Sequence, residues 1–201
     1  MKLRAITLAV GLALSAGAGA TTLSGKATAD NEFWAYLSTS DSVLGSLIGT
    51  GNNWGATYSF TSGALVNGTD YYLHVVARDY GRPEAFLGQF TLSDAAFSFT
   101  NGTQSLLTGV TADWKASAAA SPAWAAPTGT PVDRGVNGVG PWGFHGPISA
   151  SAHWIWSADY GTGTTYFSTK IVSNVPEPET YAMMLAGLGL LGAAARRKRA
   201  A

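Results

Sequence analysis

Cysteine does not occur anywhere in the 201 residues, which excludes disulfides, thiolate nucleophiles and cysteine-based metal sites. Charge is also scarce: Asp, Glu, Lys and Arg make up 12% of the chain, 12 basic residues against 12 acidic ones. The balance is uneven along the sequence. Across residues 21–174 six basic residues (Lys26, Arg78, Arg82, Lys115, Arg134, Lys170) face ten Asp and Glu, a net charge of −4, and the other basic residues lie at the two ends. This acidic middle part lacks the basic stripe that nucleic-acid binding requires, so no nucleic-acid partner is expected. It also lacks helical periodicity sustained over three turns.

What is abundant is aromatic and small. Seven Trp, eight Tyr and eight Phe accompany 25 Gly. Short aromatic or β-branched runs at residues 32–38, 56–60 and 71–78 are separated by turn-forming groups: Gly51-Asn52-Asn53, Asn67-Gly68-Thr69-Asp70 and Asp79-Tyr80-Gly81-Arg82-Pro83. Further strands are expected at 22–29, 85–92, 148–157 and 164–172. This spacing predicts an all-β sandwich of one domain, long enough to bury a core. Asn67-Gly68 and Asn101-Gly102 read as hairpin turns, where the glycine takes positive φ.

The two ends differ in kind from the middle. Lys2 and Arg4 precede an uncharged apolar stretch at 5–14, and small residues at 15–20 place Ala18 and Ala20 in an A-x-A pattern. That is the layout of a secretory signal, predicting a signal helix over 1–20 and signal-peptidase cleavage before Thr21. At the far end Val175-Pro176-Glu177-Pro178-Glu179-Thr180 is followed by an apolar run at 181–195 and by Arg196-Arg197-Lys198-Arg199. A basic cluster just beyond an apolar run stays on the cytoplasmic side, so a C-terminal transmembrane helix is expected, with those four charges as its stop. The run is short: its 15 residues reach about 22 Å, against a hydrocarbon core of about 30 Å.

The tripeptide Pro176-Glu177-Pro178, the apolar run and the terminal basic cluster together resemble the PEP-CTERM sorting domain, over residues 175–201. The resemblance implies recognition by an exosortase-type membrane peptidase, in bacteria that make exopolysaccharide and biofilm matrix. It also implies an intermediate held at the inner membrane before delivery to the cell surface or extracellular matrix. Two G-x-G-x-x-G matches, starting at Gly138 and Gly187, lack the strand-then-helix setting of a dinucleotide site.

Within residues 21–174 the sequence Ala29-Asp30-Asn31-Glu32-Phe33-Trp34-Ala35-Tyr36, the motif Asn53-Trp54-Gly55, the strand ending at Asp79 and the late His153-Trp154-Ile155-Trp156 resemble a galactose-binding-like domain. The resemblance implies a jelly-roll-like β-sandwich. Asp79 stands where that family often has Asn, and residues 38–41 replace its usual Asn-Gly turn.

Functional chemistry is sparse. His74, His145 and His153 are too far apart in sequence for a zinc-type spacing, and no G-x-S-x-G elbow occurs. Asp30, Glu32, Asp79 and Glu84 are the carboxylates from which an acid/base pair or an oxygen-liganded calcium site is drawn, although no D-x-D-x-D-G loop exists. No cofactor is expected, and calcium is the one ion these donors suit. Residues 116–147 form a long Ala-, Pro- and Gly-rich segment that reads as a loop, either an inserted flap or ligand-facing. Carbohydrate recognition rests on aromatic faces with polar groups beside them. The candidates are Trp54, Trp124 and Trp142 with Asp79 and Arg82, while Trp34, Trp154 and Trp156 are assigned to the core or an inner face. The expected function is a non-enzymatic surface or biofilm-matrix protein. A lectin-like module that binds exopolysaccharide is the alternative, and a small hydrolase or ice-binding protein is a further one.

Overall fold

A computed structural model of the chain describes residues 20–119, 123–158, 163–174 and 178–200. Ala18 and most of the expected signal segment lie outside the described residues, as do Pro176 and Glu177. The strands are β1 (Leu23–Asp30), β2 (Glu32–Ser38), β3 (Ser46–Gly51), β4 (Tyr58–Thr61), β5 (Tyr71–Arg78) and β6 (Ala85–Leu92). They continue with β7 (Phe97–Phe99), β8 (Ser105–Leu107), β9 (Lys115–Ala118), β10 (Val132–Val136), β11 (His153–Trp156) and β12 (Thr164–Ser173), and α1 (Pro178–Ala200) follows.

The strands form two antiparallel sheets, as the alternation predicts. Sheet A runs β10-β11-β6-β1-β4 with β8 also on β6, and sheet B runs β3-β2-β5-β12-β7 with β9 also on β12. Side chains alternate across a strand, so each sheet turns every second residue inward. Phe33, Ala35, Leu73, Val75, Ala77, Phe167 and Ile171 of sheet B meet Leu23, Ala27, Ala29, Phe86 and Phe90 of sheet A in one buried core. Each large apolar side chain buried there contributes roughly 1.5–3 kcal/mol. Phe33 and Phe86 meet across it with ring centroids 5.9 Å apart, as do Phe86 and Phe167 at 5.3 Å.

Sheet A is covered on its other face as well. Ala85, Leu87 and Trp154 pack there against Trp142, Ile148 and Ala152, which come from the segment joining β10 to β11. That is why β11 reads His-Trp-Ile-Trp without polar alternation: a strand buried on both faces needs apolar residues at both parities. The expected loop at 116–147 is therefore partly strand, since β9 and β10 fall inside it. Short strands β3, β7 and β8 were not expected from the sequence either. Their three to six residues carry too little pattern to separate from turns. The strand expected at 148–157 contracts to β11, because Ile148 and Ala152 belong to the covering flap.

Both Asn-Gly pairs form turns with the glycine at positive φ, 84° at Gly68 and 75° at Gly102, but neither closes a hairpin, since β4 and β5, like β7 and β8, lie in different sheets. A different constraint acts at Gly49, where any Cβ would run into the Phe60 ring. The ring occupies the space the missing side chain leaves at the edge shared by β3 and β4.

Helix α1 is 23 residues long, about 34 Å, yet no helix among the described residues is long and apolar enough to cross a membrane. The expectation of a transmembrane helix is corrected accordingly. The helix forms, but Glu179 near its start and the Arg196–Arg199 cluster near its end confine its apolar part to residues 181–195, with Leu185, Leu188, Leu190 and Leu191 exposed.

Replacing Gly49 by Val is expected to lower the unfolding free energy by about 1–3 kcal/mol, the usual cost of overpacking. Urea denaturation of the wild type and the variant measures it; equal midpoints would show that Phe60 moves aside freely.

Candidate functional site

Register builds the site. In sheet B, Trp34 of β2 stands opposite Val76 of β5, and Val76 stands opposite Tyr166 of β12. One row away Tyr36, His74 and Ser168 are aligned, and on the other side Glu32, Arg78 and Thr164. Because Phe33, Ala35, Val75, Ala77 and Phe167 point into the core, the residues between them must point out. The outer face of sheet B thus presents two strands' aromatics with a guanidinium beside them. Trp34, Tyr36, Leu44, Val76, Arg78, Trp124 and Tyr166 line a groove of about 220 Å³.

Two segments frame this groove. The turn after β2 brings in Asp41 and Leu44, and the segment between β9 and β10 brings in Trp124. Trp124 packs its ring on His74, with centroids 4.2 Å apart, and on Tyr166 at 5.0 Å. Its indole N–H donates to the backbone carbonyl of Asp41 at 2.9 Å. The Asp41 carboxylate in turn accepts from the Ser168 hydroxyl at 2.7 Å and lies 3.1 Å from His74 Nε2, while His74 Nδ1 lies 3.2 Å from the Leu44 carbonyl. Asp41 is therefore a clasp that joins its own turn, two strands and Trp124. His74 is fully buried beneath it, and burial pushes its pKa down while Leu44 and Asp41 act in the opposite sense.

Arg78 sits at the open end. Its guanidinium carbon lies 5.4 Å from the centre of the Trp34 ring, and Nη1 is 3.5 Å from Glu32 Oε1. The same Glu32 oxygen accepts the hydroxyl of Tyr80. Burial raises the pKa of both Tyr36 and Tyr166, and the Tyr166 hydroxyl donates to the Ala123 carbonyl at 3.3 Å.

The sequence candidates scatter. Trp124 alone among them lines the groove. Trp142 is no loop ligand: it is 7% exposed, stacks on Trp154 at 4.8 Å and donates to Asp30 Oδ2 at 2.9 Å. Asp79 is 8% exposed, at the end of β5, with Oδ2 accepting from the Gly81 N–H and Oδ1 without a hydrogen-bond partner. Burial raises its pKa, and the charges of Asp30 and Glu84 push the same way. Arg82 is exposed in the adjacent turn, and Trp54 is exposed in the β3–β4 connection, where its carbonyl accepts from Thr28. Neither lines the groove. Trp154 and Trp156 are buried as expected, but Trp34 is not; it belongs to the outer face. Trp34, Tyr36, Arg78 and Tyr166 were missed, although alternation from Phe33 and Ala35 was a signal able to place the first two.

For calcium, Asp30 is engaged at Oδ1 by Asn31 and at Oδ2 by Trp142, and Glu84 is paired with Arg134 at 3.1 Å. Among the described residues no group of three or more His, Asp or Glu is disposed to hold a metal ion. Ser168, His74 and Asp41 do not make a nucleophilic triad. The hydroxyl donates to the carboxylate, whereas activation requires it to face the imidazole.

A family model described as the PEP-CTERM protein-sorting motif matches residues 174–199. The motif marks an exported protein with a membrane-anchored intermediate, processed by an exosortase-type membrane peptidase. No curated protein and no solved structure matches the chain, so the galactose-binding-like resemblance gains no support from them.

Two substitutions separate buried from groove aromatics and test the acidic cluster. Trp142→Ala is expected to cost about 3–5 kcal/mol of stability, as for a large core truncation, which a chemical-denaturation curve reads directly. Asp79→Asn is expected to raise the melting temperature at pH 7. A carboxyl whose folded pKa is raised contributes its stability below the unfolded value, and that contribution is lost as pH rises through the folded one. The advantage of the variant should therefore shrink as the pH falls through the raised folded value toward the ordinary Asp value, and stay constant below it. A pH series of melting curves with a constant gap would contradict this account.

Proposed function

We propose that this protein is a non-enzymatic component of the cell surface or biofilm matrix, and that it binds polysaccharide in the groove on sheet B. The observation that carries the reading is the row of Trp34, Val76 and Tyr166 with Trp124 set above it. Flat aromatic faces pack against the apolar C–H faces of pyranose rings, and phenol, indole and guanidinium groups at the margin satisfy the hydroxyls. A groove of about 220 Å³ is smaller than a typical drug-sized pocket and suits one sugar ring of a chain that continues into solvent past Arg78.

The tail supplies the route. After export, α1 anchors the intermediate through its apolar centre, with the basic cluster at the headgroups, until cleavage near Pro176-Glu177-Pro178 releases the sandwich outward. The signal segment at 1–20 starts that journey.

Retention on the producing organism's exopolysaccharide is expected for the wild type and is expected to fall at least tenfold in Trp34→Ala and Trp124→Ala. The melting temperatures should change less than that of Trp142→Ala. Affinity electrophoresis in polysaccharide-containing gels reads the retention, and equal migration with and without polysaccharide would refute the reading. Deleting residues 181–201 is expected to leave soluble periplasmic protein, checked by cell fractionation; undiminished surface display would remove the tail from the account.

A further inference from the structure

Resting on the saccharide reading of the groove, we infer that its ligand is an acidic glycan: the site takes a uronic acid residue, with Arg78 holding the sugar carboxylate while the aromatic walls hold the ring. Among the residues that line the groove, Arg78 is the single charged group, and no carboxylate shares the lining with it. Tyr36 adds a neutral hydroxyl, while that of Tyr166 donates to the Ala123 carbonyl at 3.3 Å. Arg78 thus supplies the one positive charge of the lining, with Glu32 beside it, on an exported domain whose net charge is −4.

That contrast defines the kind of recognition. A polyanion gains nothing from the domain's overall charge, so attraction must come from short-range contacts at one place. Arg78 is suited to supply them. The guanidinium carbon lies 5.4 Å from the centre of the Trp34 ring, and its salt bridge to Glu32 is a long contact at 3.5 Å to an oxygen that also accepts the Tyr80 hydroxyl. Five N–H groups in a rigid fork are more than that contact uses, and the fork matches a carboxylate in two-point fashion. The side chain is 47% exposed, so an incoming carboxylate reaches it without any rearrangement of the sheet.

The spacing of the rows completes the argument. Arg78 and Glu32 form the row adjacent to Trp34 and Val76. Neighbouring outward residues along a strand are two positions apart, about 7 Å, a distance that a carboxylate on the rim of a pyranose and one charge-assisted hydrogen bond of about 2.8 Å together span. A ring packed on Trp34 and Trp124 thus places a C5 carboxylate within reach of the guanidinium. Glu32, opposite Arg78 across the ladder and next to Trp34 along β2, disfavours a second carboxylate there and favours one acidic sugar per site.

The test titrates the full exported protein calorimetrically with an oligogalacturonate, with the same oligosaccharide after reduction of its carboxyl groups, and with an oligoglutamate of similar charge. The acidic oligosaccharide is expected to bind about tenfold more tightly than its reduced form. Arg78→Gln should make the two equal, and Arg78→Lys should restore only part of the difference, because an ammonium lacks the fork. Equal affinities for the acidic and reduced sugars in the wild type would overturn the inference and leave a neutral-sugar site. Equal binding of oligoglutamate would overturn it in favour of a carboxylate site without sugar selectivity. If no sugar binds and the exopolysaccharide is not retained either, the saccharide reading falls with it.

Discussion

The antiparallel pairing of β5 with β2 on one side and β12 on the other decides most of what this protein presents to its surroundings. Eight successive pairs join β5 to β12 and seven join it to β2, without a bulge in either ladder. Slipping either ladder by one residue would send Phe33, Val75 and Phe167 to the solvent and bring Arg78 and Glu32 into the core. The hydrophobic core therefore holds the register, and the register holds Trp34, Val76 and Tyr166 in line on the outside. The outer aromatic face and the core are two sides of the same set of hydrogen bonds.

The outer faces of the two sheets are treated differently. Sheet A is sealed by a flap that carries Trp142 onto Trp154, and that face is spent on stability. Sheet B is covered only in part, at the end where the Asp41 clasp and Trp124 close over His74, and remains open toward Arg78. A loop tryptophan thus serves one role on each sheet. The difference lies in what surrounds the indole: Trp142 gives its N–H to the buried Asp30 carboxylate, whereas Trp124 is tethered to a turn at the surface.

Export sets the second constraint. The matched motif at 174–199 joins directly to β12, the strand that ends in Ser173 and contributes Tyr166 to the groove. Asn174 is tied to β7 and its neighbourhood through hydrogen bonds from its backbone to Ala96 and from its side chain to Ala95. The sandwich is thereby closed just before the sorting segment begins. Removal of the tail leaves the last strand of sheet B anchored by its own neighbours.

Much was legible in the residues themselves. Alternating apolar residues in β1, β2, β5, β6 and β12, and the Asn-Gly turns at Gly68 and Gly102, specified an all-β sandwich, because those patterns depend only on neighbours along the chain. The sorting tail was legible for the same reason: tripeptide, apolar run and basic cluster are contiguous. The functional face was not. Trp34 and Trp154 have equally apolar neighbours, Trp124 and Trp142 sit in equally Gly- and Pro-rich segments, and their opposite fates depend on which distant segment covers which sheet. The strand sequences determined that two faces would exist; only the packing of residues 41–45, 123–126 and 137–152 decided which was closed and which stayed open, since burial is a property of long-range contacts that no local pattern encodes.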